Sequence, residues 1–170
     1  MTDALRRLAE GASAVGRPAT YEATHHGPLL TVPAFFLEVG GGDPDHPPEI
    51  ALDLLARVVR EIVPDPTDHV VLGVGGGHYA PHFTDLALRR SLAFGHLLPR
   101  HALDELTTET AADARARTPD SEGVVYARAA DAERPQSAGW GPRFRESNAA
   151  RRGGDPILSP PSGDARSAGT

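Results

Sequence analysis

The stretch His69-Val70-Val71-Leu72-Gly73-Val74-Gly75-Gly76-Gly77-His78-Tyr79-Ala80-Pro81 runs a short apolar segment into three consecutive glycines and stops at a histidine and a tyrosine. Its first six residues are bounded by turn signals and read as a buried strand of a parallel sheet. Consecutive glycines cost conformational entropy on folding, so they mark main chain at positive φ or in close approach to something. Upstream, Leu52, Leu55, Ala56, Val59 and Ile62 recur at spacings of 3 and 4 and predict a helix over Glu49 to Val63, ended by Pro64 and Pro66. Before it, Thr31 to Val39 reads as a strand leading into Gly40, Gly41 and Gly42, with Pro33 favouring an edge position or a late start. Strand, glycines, helix, strand, glycines gives βαβ units and an α/β fold.

Downstream the pattern predicts a helix from about Thr84 to Phe94 with Thr84 as N-cap, another from Arg100 to Arg117, and a final strand at VVYARA near 124. Residues 1 to 12 read as a short amphipathic helix with Leu5 and Leu8 on one side. At 170 residues the chain has room for one domain and an appended tail. Residues 1–133 carry 11 arginines against 20 acidic residues, and residues 134–170 carry 6 against 3. The second part is dense in Gly, Pro, Ser and Arg with little apolar periodicity, so a disordered tail over 134–170 is expected after an α/β domain over 1–133.

Composition excludes several chemistries. There is no cysteine, hence no disulfide, thiolate zinc site or cysteine nucleophile. All 17 basic residues are arginine, which removes the P-loop lysine and any Schiff base. A net charge of −6 argues against broad non-specific nucleic-acid binding. No apolar run approaches the roughly 20 residues of a membrane span, and the start lacks a secretory signal core, so a cytoplasmic location and no membrane contact are expected.

All 8 histidines lie between 25 and 101, most of them beside glycine or proline, and three clusters stand out: Thr24-His25-His26-Gly27-Pro28, Gly75-Gly76-Gly77-His78-Tyr79-Ala80-Pro81, and Phe94-Gly95-His96-Leu97-Leu98-Pro99. Taken singly, the first reads equally as an exposed turn, and the third as a helix C-cap at Gly95 followed by a structural histidine. His78 and His82 have HxxxH spacing, but Pro81 between them opposes a regular helix. Asp43, Asp45 and His46 read as a turn and helix cap before a metal site, and Arg89, Arg90 and Arg100 as a solvated face that could also meet phosphate. Together the clusters support two routes to hydrolysis. Imidazoles with a carboxylate suit Zn²⁺ and a metal-bound water; alternatively a histidine serves as general base while glycine N–H groups stabilise an oxyanion.

The ordered set THHGP, FFLEVG, GVGGGHYAP followed by HFT, and FGHLLP resembles the archaeal-type D-aminoacyl-tRNA deacylases, from about Tyr21 to Leu106 and more faintly to about Ala130. The resemblance implies a three-layer, mostly parallel α/β sheet similar to peptidyl-tRNA hydrolases and nucleoside phosphorylases. It implies zinc as cofactor, and hydrolysis of the ester joining a D-amino acid to the 3′ end of tRNA. Carried over by position, it implies His78, Tyr79 and His96 as catalytic groups and His25, His26 and Glu38 as metal ligands, while Thr24, Gly75, Gly76 and Gly77 are expected at the substrate. The family's members begin upstream of THHGP with a strand and helix that this chain lacks, so an incomplete sheet is expected. Two rivals remain at this point: an inactive truncated paralogue, and a small-molecule hydrolase or phosphorylase-like enzyme on the same scaffold. Oligomeric state is left open between a monomer and a larger assembly.

Overall fold

The computed structural model describes residues 1–25, 27, 30, 32, 34–41, 46–140 and 142–152. In chain order its elements are helices α1 (Thr2–Val15) and α2 (Glu49–Glu61), strand β1 (His69–Val74), helix α3 (Pro81–Arg89), strand β2 (Leu92–Leu98), helix α4 (Thr108–Ala116), strand β3 (Val124–Tyr126) and helix α5 (Glu133–Ser137). Short 3₁₀ turns occupy Arg100–Ala102, Ala129–Ala132 and Glu146–Asn148. The three strands form one parallel sheet in the order β2-β1-β3.

β1 is central and buried on both faces, as its unbroken apolar run requires. On one face Val71, Phe94, Leu97 and Val125 pack with Phe83 and Ala87 of α3 and Leu5 of α1. On the other, Leu72, Val74, Val124 and Tyr126 pack with Leu106, Ala111 of α4, Ala138 and Trp140. Helices thus cover both sides and the architecture is the expected three-layer α/β.

α1 runs past the expected residue 12 to Val15 and stops at Gly16, whose φ of 70° closes the last turn. Arg6 of α1 forms a bidentate pair with Asp68 at 2.6 and 2.9 Å, and also donates to the carbonyls of Ala87, Arg90 and Leu92. This guanidinium fastens α1 to the joint between α3 and β2. α2 forms as expected, but its buried positions are Ala51 and Val58, while Leu52 and Val59 are exposed. The helix is apolar on more than one side, and its approach to α1 selects the face: a Cβ on Gly11 would lie 2.6 Å from Leu54.

Several expectations are corrected. The described residues 34–39 are not a strand, and Phe35 and Phe36 are exposed there; Thr31 and Pro33 lie outside the described residues. α3 begins at Pro81 instead of Thr84, because proline suits the first helical position. Thr84 lies within the first turn, donating to Ala80 O and accepting from Tyr21 N. The helix stops at Arg89, and FGHLLP is not a C-cap but the body of β2. The helix expected over Arg100 to Arg117 is interrupted after one 3₁₀ turn and restarts at Thr107, whose side chain caps α4 in a capping box with Thr110.

The composition border at Arg134 does not mark the edge of packing. Pro135, Ala138, Trp140, Phe144 and Ala149 are buried. Phe144 N–H donates to Val124 O and Val124 N–H to Pro142 O, so residues 142–144 cover the outer edge of β3. Residues 150–152 bond back to Arg89 and Ser91. The segment lacks periodicity because each apolar residue lands on a core that other elements supply. Residues 153–170 lie outside the described part.

Candidate catalytic site at the carboxyl end of the sheet

β1 ends in a turn that only glycine accommodates. Gly75 has φ 101° and Gly76 φ 78°. Gly75 is buried, donates to Leu98 O at 2.9 Å, and a Cβ placed on it would stand 2.3 Å from Asp131 Oδ2. Its close approach is therefore to a side chain of its own chain. Asp131 is 4% exposed and held by Arg100, whose Nε and Nη2 each donate to one carboxylate oxygen at 2.9 Å. The Arg100 hydrogen bonds keep the Asp131 carboxyl below the usual carboxylate range. Gly76 and Gly77 have open space where side chains would be: no atom lies within 4 Å of the Cβ position at Gly76, and the nearest at Gly77 is 3.9 Å away.

After this turn the chain meets a segment from far upstream. Ala80 N–H donates to Tyr21 O at 3.0 Å and Ala23 N–H to His78 O at 2.8 Å, with Glu22 bridged antiparallel to Tyr79. Thr24 continues onto β2, its N–H donating to Leu97 O and its Oγ1 accepting from Leu97 N–H. The two histidine clusters are joined by this pairing. The rings of His25 and His78 lie 4.4 Å apart at 66°, and Tyr79 packs edge-on to His78 at 5.2 Å.

Between the imidazoles sits a carboxylate that sequence reading passed over. Glu22 Oε2 is 3.4 Å from His78 Nε2 and 3.6 Å from His25 Nε2, and the ligand atoms of all three residues lie within 4.8 Å of one another. Nothing in the local sequence marks Glu22, because its register against Tyr79 exists only in the fold. His25 Nδ1 lies 2.6 Å from Ala23 O. A carbonyl only accepts, so Nδ1 carries the hydrogen, and in the neutral ring Nε2 presents a lone pair to a carboxylate. A proton or a cation between them satisfies that arrangement. Two imidazoles and one carboxylate around an accessible point therefore fit a catalytic zinc, and the carbonyl behind His25 is the kind of partner that orients a metal-ligating ring.

The remaining expected site residues fall elsewhere or at the margin. His26 is outside the described residues, as are Asp43 and Asp45. Glu38 is exposed on the irregular segment after Phe36 and is not part of the Glu22, His25, His78 group. His82 approaches Glu146 at 3.8 Å, packs against Phe83, and does not join His78. Arg89 pairs with Asp85, and Arg90 donates to Ala149 O.

His96 stands at a β-bulge. Val71 pairs with Phe94 and Gly73 with Leu97, so Gly95 and His96 together oppose Leu72. Bulges re-aim side chains, and this one turns His96 Nδ1 to Thr118 Oγ1 at 3.2 Å. Gly95 is required there, since a Cβ would lie 2.1 Å from Thr118 Cγ2. Burial, and then the Arg117 charge, lower the His96 imidazole below its ordinary value, with Asp113 opposing.

Residues 1–138 match the sequence profile of the D-aminoacyl-tRNA deacylase family. A D-aminoacyl-tRNA deacylase of Pyrococcus abyssi is 42% identical over 92 residues, covering 52% of this chain and 34% of that protein. One from Thermoplasma acidophilum is 34% identical over 129 residues, covering 75% of this chain and 50% of that protein. A crystal structure of a conserved protein of unknown function superposes with a TM-score of 0.66 at 26% identity, covering 82% of this chain and 52% of the other. The chain thus spans between a third and a half of the length of these curated relatives. With the profile match reaching from α1 through Ala138 and the three histidine motifs built into one α/β sheet, the chain belongs to the D-aminoacyl-tRNA deacylase family.

Proposed function

We propose that the chain hydrolyses the ester between a D-amino acid and the 3′-terminal ribose of tRNA, and that Glu22, His25 and His78 carry the reaction. The observation behind this reading is the convergence of those three side chains, 56 residues apart at the extremes, at the carboxyl end of a parallel sheet, where α/β folds place ligands. His78 is half exposed and can meet a substrate from solvent. In the proposed reaction His78 Nε2 takes a proton from water as the water oxygen bonds to the acyl carbon. Glu22 Oε2 stabilises the imidazolium. The bond from acyl carbon to ribose oxygen then breaks and that oxygen receives the proton, leaving a free amino acid and tRNA. Gly76 and Gly77 offer bare main chain to the acyl group, and Tyr79 stands at the rim.

Zn²⁺ fits the same three residues as an alternative to that proton transfer: Glu22, His25 and His78 would hold it, with the His78 Nε2 lone pair on the ion and no longer available as a base. When bound it would supply a water acidified towards neutral pH and positive charge for the acyl oxygen. A tRNA substrate places the work in the cytoplasm, and no helix among the described residues is long and apolar enough to cross a membrane. Release of amino acid from D-tyrosyl-tRNA and L-tyrosyl-tRNA by the purified chain, with zinc and after chelation, tests the reading. Faster release from the D-ester is expected, and its loss on chelation with return on adding zinc would assign the metal-held arrangement. Equal background release from both esters would remove the enzymatic claim, and release of the D-ester unchanged by chelation would remove the metal.

A further inference from the structure

α2 carries two apolar sides and uses one of them. Ala51 and Val58 are buried where the helix packs on α1. Leu52, Leu55, Ala56 and Val59 recur at i, i+3, i+4 and i+7 on another side, and there Leu52 is 45% exposed, Val59 61% and Leu55 half-buried. At about 100° per residue, the centre of this stripe lies roughly a quarter-turn from Ala51 and Val58. Single apolar residues at a surface are ordinary, whereas a continuous stripe along a helix marks contact with another body. Val63, just past the last turn, extends the exposed apolar surface.

The charges beside the stripe select that body. A further quarter-turn round, Glu49, Asp53 and Arg60 stand exposed along one flank, the acids in the first half of the helix and the base in the second. The ion pair that α2 makes among the described residues is Glu61 with Arg7, so these three have no charged partner there. Two copies of α2 laid antiparallel about a two-fold axis keep that flank on the same side of both helices. Centred between Leu55 and Ala56, the pairing sets Leu52 against Val59 of the second copy and Leu55 against its Ala56, a large side chain on a small one. Arg60 then lies level with position 51 of the second copy, between Glu49 and Asp53, each displaced by about 3 Å along the axis. A parallel pairing would put the charged flanks on opposite sides, where no counter-charge faces them.

We infer that α2 is the contact surface between two copies of this chain, packed antiparallel across a two-fold axis with Arg60 of each copy facing Glu49 and Asp53 of the other. A helix pair of this length covers less than the roughly 1,200 Å² of a stable complex, so the dimer forms with a dissociation constant on the order of 10–100 µM. The surface is separate from the Glu22, His25, His78 group, and the inference does not depend on the deacylase reading.

Sedimentation velocity of the full chain between about 1 and 500 µM tests it. The sedimenting mass is expected to rise from one chain towards two across that range. Val59→Asp is expected to remain a monomer throughout, with the melting temperature of dilute wild type, since the position is exposed. Asp53→Arg and Arg60→Glu alter only exposed charges and leave the fold intact. Each is expected to weaken the dimer at least about fivefold, and the two together in one chain to restore it to within about twofold of wild type. A wild type that stays monomeric to the highest concentration would overturn the assignment and give the stripe to a different occupant. A dimer that survives Val59→Asp would place the contact elsewhere, and a double variant no tighter than the single ones would overturn the antiparallel arrangement.

Discussion

The three glycines after β1 do separate jobs. Gly75 takes a φ of 101° and leaves room for the Asp131 carboxylate, whereas Gly76 and Gly77 face open space. Gly75→Ala therefore meets two penalties, a strained backbone and a contact of 2.3 Å with a buried ion pair. We expect it to lower stability by at least about 2 kcal/mol, read as a fall in the urea midpoint; a midpoint within error of wild type would show that the turn relaxes. His96 gives a pH dependence. Its folded imidazole titrates below the ordinary value, mainly through burial, so the unfolded chain binds the proton first as pH falls. Its contribution is complete above the unfolded value of about 6.5 and is lost as pH drops towards the folded value. Stability should fall between pH 7.5 and 5.5 more in wild type than in His96→Gln, and equal falls would contradict this. Gly75, Gly76, Gly77, His25 and His78 could be picked out of the sequence as candidates, but the residues set against them could not. Glu22 and Asp131 sit in unremarkable sequence and gain meaning only from the residues that folding sets against them.

Among the elements, the long periodic ones declared themselves. α2 and β1 formed at the expected places because a run of apolar side chains at the right spacing needs no distant information. The face of α2 was misread, since the choice belongs to α1 and the close passage at Gly11 and Leu54. The first residues of β2 were read as the end of a helix capped at Gly95, because glycine looks like a terminator, when it serves the bulge that presents His96 to Thr118. Of the segment expected to be disordered, the described residues, 134–152 except Gly141, pack against β3 and β2, because a composition that rules out folding alone still allows folding onto a core supplied by other elements. Trp140 is 1% exposed within the cluster of Leu72, Val74 and Tyr126. Removing a buried tryptophan costs about 3–5 kcal/mol, a large share of the roughly 5–15 kcal/mol that holds a domain together. A chain ended at Glu133 should lose its cooperative thermal transition, while one ended at Arg152 should keep it. A sharp transition in the shorter chain would show the segment to be dispensable.

At the scale of the molecule, the parallel sheet order β2-β1-β3 brings the Glu22, His25, His78 group and the Arg100–Asp131 pair to its carboxyl end. The turn after β1 carries His78, the pairing of Tyr21–Thr24 with 78–80 and Leu97 brings Glu22 and His25 beside it, and the 3₁₀ turn after β2 sends Arg100 to Asp131. The α/β class and three layers followed from strand and helix patterning, and the family from the order of the histidine motifs. Which carboxylate completes the cluster did not, because a 56-residue separation in sequence holds no record of a 3.4 Å approach. The account stands on that cluster acting on an acyl ester. Single-turnover deacylation of D-tyrosyl-tRNA by wild type, Glu22→Gln and His78→Ala measures this directly. Rates at least about 10²-fold lower in each variant, with the melting temperature preserved, are predicted; wild-type rates in either variant would contradict it.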